Sequence, residues 1–219
     1  MRVVLAPLLG SIVTVFFAPS LLYAQLTDRV TQAVDTTKVR ALPDHVPAWA
    51  NPNNSLGPLP GKLMLDQMTL VLSHSPEQEQ ELTALMSAQQ DPASKNYHHW
   101  LTPTEMGELF GLSQQDISRV TTWLESQGLH VSWVSSSRTF IGFNGSAADV
   151  SKAFQTQVSY YRVNGVQRFS ISSPPMIPEA LIPVVKAVRG LYTNQEQPLH
   201  GAPTARSVSP RVTYGSSHY

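Results

Sequence analysis

The distribution of proline is the feature that most restricts what this chain can fold into. The sequence contains 17 prolines, and a proline inside a helix or a central strand removes a backbone hydrogen bond. Residues 25–62 and 193–219 combine proline with asparagine, glycine or serine and show little periodic pattern. We therefore expect an extended N-terminal arm (25–62), a folded domain (63–192) and a flexible linker or processing region (193–219). Trp49 lies in the arm, where a tryptophan is costly unless it docks on another surface.

The first 24 residues have the pattern of a secretory signal peptide. Arg2 provides a basic start, residues 3–17 are almost entirely apolar, and Ala24 is a small residue at a plausible cleavage point. The apolar run is shorter than the about 20 residues that a membrane-spanning helix needs. We predict that residues 1–24 direct the protein to the periplasm or the exterior; an uncleaved N-terminal anchor is the alternative.

Charge and cysteine content exclude several classes of partner and site. The chain has 15 basic and 15 acidic residues and a formal net charge of zero. This balance argues against nucleic acid or an anionic membrane as the main partner, because both require a basic patch. The chain has no cysteine, so thiolate metal sites are excluded and an exported domain must be held together by core packing alone.

Helix-start signals and one hairpin signal set the order of elements in the folded domain. Ser75 with Gln78 and Thr102 with Glu105 have the spacing of capping boxes, and the pair at 164–165, Asn-Gly, is typical of a type I′ turn. We predict a strand at 63–72, helices starting near residues 75, 102 and 113, strands at 130–134 and 139–143, a helix at 146–154, strands at 158–163 and 166–171, and a last short strand at 188–191.

This order predicts an α+β fold. An antiparallel sheet would carry helices on one face, close to the split βαβ or ferredoxin-like arrangement. The other face of the sheet would then be uncovered unless a partner lies on it. In the predicted strand at 139–143, Phe140 and Gly142 should point to one face of the sheet, and Ile141 and Phe143 to the other.

Two adjacent histidines suggest a metal site, but the surrounding sequence lacks a metal-binding motif. His98 and His99 are adjacent, and no HExxH motif or Asp-rich loop accompanies them. We interpret them, together with Tyr97 and Trp100, as an aromatic loop packed on the core.

Hydroxyl and carboxyl groups likewise lack a catalytic pattern. No serine lies in a Gly-x-Ser-x-Gly motif, and Ser146 is better explained as a helix cap. Glu105 and Glu108 lie three residues apart, which suits a solvated helix face. We therefore predict no catalytic, cofactor-binding or metal-binding residue in this chain.

An ordered series of short motifs runs through the folded part. It comprises HWLTPTE at 99–105, FG at 110–111, WL at 123–124 with a glycine at 128, FNG at 143–145, NG at 164–165, IP at 177–178 and VRGL at 188–191. No single motif is diagnostic, but the ordered series resembles the activation pro-domain of the sedolisin (kumamolisin-like) serine-carboxyl peptidases. The resemblance covers about residues 63–192.

The resemblance implies a subtilisin-propeptide-like sandwich within a secreted precursor. In such precursors a signal peptide, a pro-domain and a linker precede a subtilisin-like catalytic domain with a Ser-Glu-Asp triad, an Asp oxyanion group and a calcium site. No position here matches the triad or the calcium ligands, so calcium is expected only in the catalytic domain. The implied role is that of intramolecular chaperone and inhibitor of a serine-type endopeptidase domain, in cis or in trans, without activity of its own.

Several alternatives stay open. The chain could be a truncated or partial precursor, a precursor whose catalytic part has been lost, a stand-alone secreted peptidase inhibitor or binding module that acts in trans, or an unrelated exported enzyme that uses Glu105 or the histidines. The resemblance also implies activation by acid. We hypothesise that His99 or His130 contributes through protonation, which histidines undergo near about pH 6.5.

Overall fold

Residues 26–193 form the part of the chain that the computed structural model describes. The predicted signal peptide at 1–24, and the predicted linker after Thr193, lie outside the described residues. Within the described range, no helix combines the length and apolar character needed to cross a membrane.

The described residues form nine strands and four α-helices. The strands are β1 (Val39–Ala41), β2 (Ser55–Pro58), β3 (Met64–Leu72), β4 (His130–Val134), β5 (Phe140–Ser146), β6 (Val158–Val163), β7 (Val166–Ile171), β8 (Met176–Pro178) and β9 (Val185–Arg189). The helices are α1 (Pro76–Gln90), α2 (Pro103–Leu109), α3 (Gln114–Ser126) and α4 (Ala147–Ala153), and short 3-10 turns lie at Pro52–Asn54 and Glu179–Leu181.

The main sheet has four strands in the order β4-β5-β3-β9, and every neighbouring pair is antiparallel. Numbered within this sheet alone, the strands lie in the order 2-3-1-4, with helices in the connections after the first and third strands. This is the split βαβ or ferredoxin-like arrangement. The predicted α+β fold class is therefore confirmed.

The β6–β7 hairpin does not belong to this sheet. It pairs with β2 in a separate three-stranded sheet, and β1 pairs with β8 in a third, two-stranded sheet. The prediction of a single sheet was therefore wrong. Periodicity identifies a strand but not the strand that it pairs with, and here the partner of β6 comes from the predicted arm.

The predicted arm is part of the folded unit. Val30, Leu42 and Leu59 are buried in the same hydrophobic core as the domain. Trp49 docks edge-on against Tyr161 and Tyr192, with ring centroids 5.9 and 6.5 Å apart. The boundary expected at residue 63 is therefore too late, because isolated apolar residues produce no periodic pattern and yet bury fully.

The core lies between the main sheet and helices α3 and α4. The ring of Phe154, which follows α4, is 5.8 Å from Trp123 on α3 and 6.0 Å from Phe143 on β5, centroid to centroid. Met68 and Ile141 are fully buried on the same face of the sheet as Phe143. This packing identifies the face of the sheet that the helices cover.

Local signals set the helix starts as predicted. The capping boxes of Ser75 with Gln78 and of Thr102 with Glu105 are both closed. Gly128, after α3, has φ +86°, which is the left-handed conformation expected at a helix end. Asn164 (φ 52°) and Gly165 (φ 79°) form the predicted turn.

Two local features differ from simple expectation. The strand predicted at 139–143 continues as β5 to Ser146 and includes Gly145. A Cβ on Gly145 would lie 2.6 Å from Leu129 Cδ2, so this glycine allows close packing instead of a break. The apolar stripe expected on α1 is weak, since Met86 is 52% exposed and Gln89 is the buried residue of that helix.

Candidate partner-binding face

The face of the main sheet opposite α3 and α4 is the candidate functional surface. Strand alternation places Ile141 and Phe143 on the core face and Phe140 and Gly142 on the outer face, as predicted. The register of the four strands extends this outer face to eleven positions: His130, Trp133, Phe140, Gly142, Asn144, Ser146, Met64, Thr69, Val71, Ala187 and Arg189.

Trp133 is the largest apolar group on this outer face. Its side chain is 50% exposed, and Trp133, Gly142, Thr69 and Arg189 form one row across the four strands. A Cβ built on Gly142 would lie 2.2 Å from both Cε2 and Nε1 of the indole. The indole therefore lies directly on the sheet, which the lack of a side chain at Gly142 makes possible.

The outer side of the sheet carries charges of both signs. Asp66 is exposed in the bulge of β3 between the buried Leu65 and Met68, and Arg189 is exposed at the β9 end of the Trp133 row. Exposed apolar surface of this kind, with polar groups at its margin, is typical of protein–protein contact sites. The arrangement suits a partner with an apolar pocket for the indole of Trp133 and a carboxylate for the guanidinium of Arg189.

The carboxyl and hydroxyl candidates act as helix caps. Glu105 Oε2 accepts hydrogen bonds from Thr102 N–H (2.7 Å) and Thr102 Oγ1–H (2.8 Å). These bonds, the backbone one first, lower the pKa of Glu105 below its ordinary value. Ser146 Oγ accepts from Asp149 N–H at 3.2 Å. The interpretation of Ser146 as a cap is confirmed, and Glu108 is exposed.

The aromatic loop is not packed on the core, and that interpretation was wrong. The His98 ring stacks on Tyr97 with centroids 3.8 Å apart and lies 6.1 Å from Trp100. Tyr97 and Trp100 are 41% and 62% exposed. The rings pack on each other because the loop is anchored through its backbone, with His98 N–H donating to Gln89 O at 3.0 Å. Between residues 26 and 193, no three metal-ligating side chains converge.

The two histidines proposed as acid sensors lie on separate elements. His130 begins β4 opposite Asn144, whereas His99 follows the aromatic stack near Glu105. Both side chains are exposed. Their role in an acid response remains a prediction.

Sequence reasoning missed Asp116, which joins the arm to helix α3. Its buried carboxylate accepts hydrogen bonds from the N–H groups of Arg29 (2.8 Å) and Val30 (3.0 Å). The Arg29 guanidinium donates to the carbonyl oxygens of Ser73 and Pro183. Burial lowers the pKa of Arg29, and the charges of Asp116 and Glu77 oppose this effect. In the sequence, Asp116 looks like any acidic residue in the first turn of a helix.

Comparison with known proteins identifies the family. A family model described as "Pro-kumamolisin, activation domain" matches residues 53–193. The chain is 30% identical over 100 residues to "Xanthomonalisin" of Xanthomonas sp. (strain T-22), covering 46% of this chain and 12% of that protein. It is 32% identical over 109 residues to "Tripeptidyl-peptidase sed1" of Aspergillus fumigatus, covering 49% and 16%. It is 26% identical over 122 residues to "Sedolisin" of Pseudomonas sp. (strain 101), covering 56% and 21%.

The extent of these matches defines what is shared. The family match covers well over half of the chain and begins within the segment predicted as an arm, in agreement with the pairing of β2. The chain spans about a fifth or less of the length of each of these relatives. What is shared is therefore an activation domain, which is not itself a catalytic unit, and this chain belongs to the pro-kumamolisin activation-domain family.

Proposed function

We propose that this chain is the pro-region of a secreted serine-carboxyl peptidase precursor, where it acts as intramolecular chaperone and inhibitor of a subtilisin-like catalytic domain. Two findings support the proposal: the family match over residues 53–193 and the open face of the sheet around Trp133. The peptidase names of the relatives support a partner of that class. In this proposal the catalytic groups and any calcium site belong to the partner, and residues 1–24 direct secretion.

The outer face carries this proposal because it presents an exposed tryptophan on the rigid support of the sheet. Large aromatic side chains near the centre of an interface commonly supply 2 kcal/mol or more of binding free energy, on the order of thirtyfold in affinity. The indole of Trp133 already lies directly against Gly142, so it cannot pack more deeply onto its own sheet. Its exposed half is therefore available to a partner without rearrangement of the domain.

Inhibition also requires a defined route from the domain towards the partner's cleft. The chain leaves the described part at Thr193, whose N–H donates to Phe169 O at 2.9 Å, next to the bridge between Ser170 and Tyr192. The residues that follow therefore start from a position held against β7. A segment held in this way is suited to occupy a neighbouring cleft.

A chaperone role follows from the same contact. A large α/β catalytic domain with many non-local contacts folds slowly, and a preformed surface that binds its native state favours that state. The pro-domain in turn is small and held by local helix caps and an antiparallel sheet. We expect it to fold before its partner.

Inhibition in trans tests the proposal. The chain would be added to mature sedolisin and xanthomonalisin, and the inhibition constant measured for the wild type, Trp133→Ala and the control Val166→Ala. Val166 is 54% exposed on the β6–β7 hairpin, outside the outer face. We expect Trp133→Ala to raise the inhibition constant about thirtyfold or more, and Val166→Ala to leave it within about threefold.

Two results would contradict the proposal. Equal effects of Trp133→Ala and Val166→Ala on the inhibition constant would mean that the peptidase does not contact the outer face through Trp133. Absence of inhibition and of folding assistance towards both enzymes would exclude the pro-region role itself.

A further inference from the structure

His45 connects the predicted arm to the outer edge of the main sheet. Its Nε2 accepts the N–H of Val188 at 3.0 Å, and its Nδ1 lies 2.5 Å from Pro43 O. Strand β9 ends the sheet order, so this N–H points away from the rest of the sheet. An unpaired N–H at such an edge is a site where foreign strands can add, and here the imidazole covers it.

The two contacts fix the protonation state of the ring. A carbonyl oxygen only accepts, so Nδ1 must carry the proton that Pro43 O receives. A backbone N–H only donates, so Nε2 must be bare to accept from Val188. Both contacts coexist only in the neutral imidazole with its proton on Nδ1. A second proton on Nε2 would set one N–H against another and remove the bond.

The charged residues nearest in sequence to the two contacting groups are Asp44, next to His45 on the arm, and Lys186 and Arg189, around Val188 on β9. All three are exposed.

We propose that His45 is an acid-sensitive latch between the arm and strand β9. Histidine changes its charge between about pH 5 and 8, so mild acid opens the latch and leaves the Val188 N–H unpaired. β9 leads directly into residues 191–193, which pair with β7 at the point where the chain leaves the domain. Acid therefore loosens the strand from which the following segment departs. The latch is a property of this domain and does not depend on the proposed binding of a peptidase.

Hydrogen exchange of the full chain tests the latch. The protection factor of the Val188 amide, corrected for the intrinsic pH dependence of exchange, would be compared at about pH 7 and about pH 5. We expect the wild type to lose protection at Val188 by about tenfold in acid, with Ile141 on a central strand unchanged. His45→Gln should abolish the loss, because the glutamine oxygen accepts the same N–H and does not titrate. His130→Gln, an exposed imidazole on β4, is the matched control and should keep the loss.

Either of two observations overturns the proposal. One is a wild type whose Val188 protection does not fall in acid, or a His45→Gln variant that loses as much protection as the wild type. The other needs no variant: nitrogen chemical shifts that place the proton of His45 on Nε2 at about pH 7 would contradict the geometry directly.

Discussion

Replacing Asp116 by alanine should reveal how firmly the N-terminal arm is attached. The carboxylate is completely buried and accepts the backbone N–H groups of Arg29 and Val30 at 2.8 and 3.0 Å. Alanine removes both acceptors at once. It also removes the negative charge that faces the partly buried guanidinium of Arg29.

The size of the effect follows from what the arm can do in response. A buried N–H left without an acceptor costs about 1–3 kcal/mol, so two would cost up to about 6 kcal/mol. The arm can instead detach, which exposes the fully buried Val30 side chain at about 1.5–3 kcal/mol together with its neighbouring contacts. The response with the smaller free-energy cost sets the upper limit of the destabilisation. We therefore expect Asp116→Ala to lower the free energy of unfolding by about 2–4 kcal/mol, and Asp116→Asn, which keeps one acceptor oxygen, by about half as much.

Urea unfolding followed by tryptophan fluorescence measures this difference. Glu125→Ala is the matched control, since Glu125 is an exposed acidic residue on the same helix, and it should change the free energy of unfolding by less than about 0.5 kcal/mol. If Asp116→Ala costs no more than Glu125→Ala, the arm is not docked in solution. The reasoning that joins residues 26–62 to the domain would then fail.

Two further substitutions test packing and capping. Gly145→Ala should lower the free energy of unfolding by about 1–3 kcal/mol, because its Cβ would lie 2.6 Å from Leu129 Cδ2. The control Gly61→Ala, whose Cβ would meet its nearest neighbour at 3.4 Å, should lower it by about 0.5 kcal/mol or less. Equal losses of stability in thermal unfolding would contradict the close approach. The hydrogen bonds from Thr102 lower the pKa of Glu105. The cap therefore contributes its full stability above the ordinary pKa of 4.5, and this stability is lost as the pH falls through the lowered pKa of the folded state. Glu105→Gln keeps the capping box but cannot ionise, and unfolding free energies measured from about pH 6 to about pH 2.5 should show a shallower acid loss than the wild type; an identical slope would remove Glu105 from the pH response.

Local signals were enough to predict most elements and the fold class. The capping boxes at Ser75 and Thr102 began helices where the side chain and backbone satisfy each other within four residues. The glycine-containing turn at 164–165 closed the predicted hairpin. These signals are short-range, so the residues that cause the structure are neighbours in the sequence.

The failures concern contacts between residues that are distant in sequence. Asp116 and Val30 are 86 positions apart, and neither shows in its own surroundings that it will meet the other. Val30 is an isolated apolar residue in a polar stretch, which periodicity cannot detect. The partner of β6 was missed for the same reason, because β2 is short and contains Gly57 and Pro58.

The candidate face was only in part predictable from the sequence. Residues 130–143 were predicted as two strands joined by a turn, but the predicted bounds place Trp133 opposite Phe140, whereas the structure pairs it with Gly142. This difference of two residues in register puts the indole directly on the glycine. The aromatic loop failed for another reason: the four consecutive aromatic or histidine residues at 97–100 suggested burial, yet all four are exposed, and the rings of Tyr97, His98 and Trp100 stack on each other.

The arrangement of the arm bears on which surface remains for a partner. Val30 and its anchor Asp116 secure the arm beside the helices, and His45 covers the outer edge of β9. The free side of β7 is partly occupied by Tyr192 and Thr193. The β9 edge of the main sheet and the β7 edge of the three-stranded sheet therefore offer little main-chain hydrogen bonding to other strands. Among the described residues, the outer face of the main sheet supplies exposed side chains on a rigid support, and Trp133 lying on Gly142 is its anchor. In the proposed function, a partner would therefore contact this face and not the covered edges of β9 and β7.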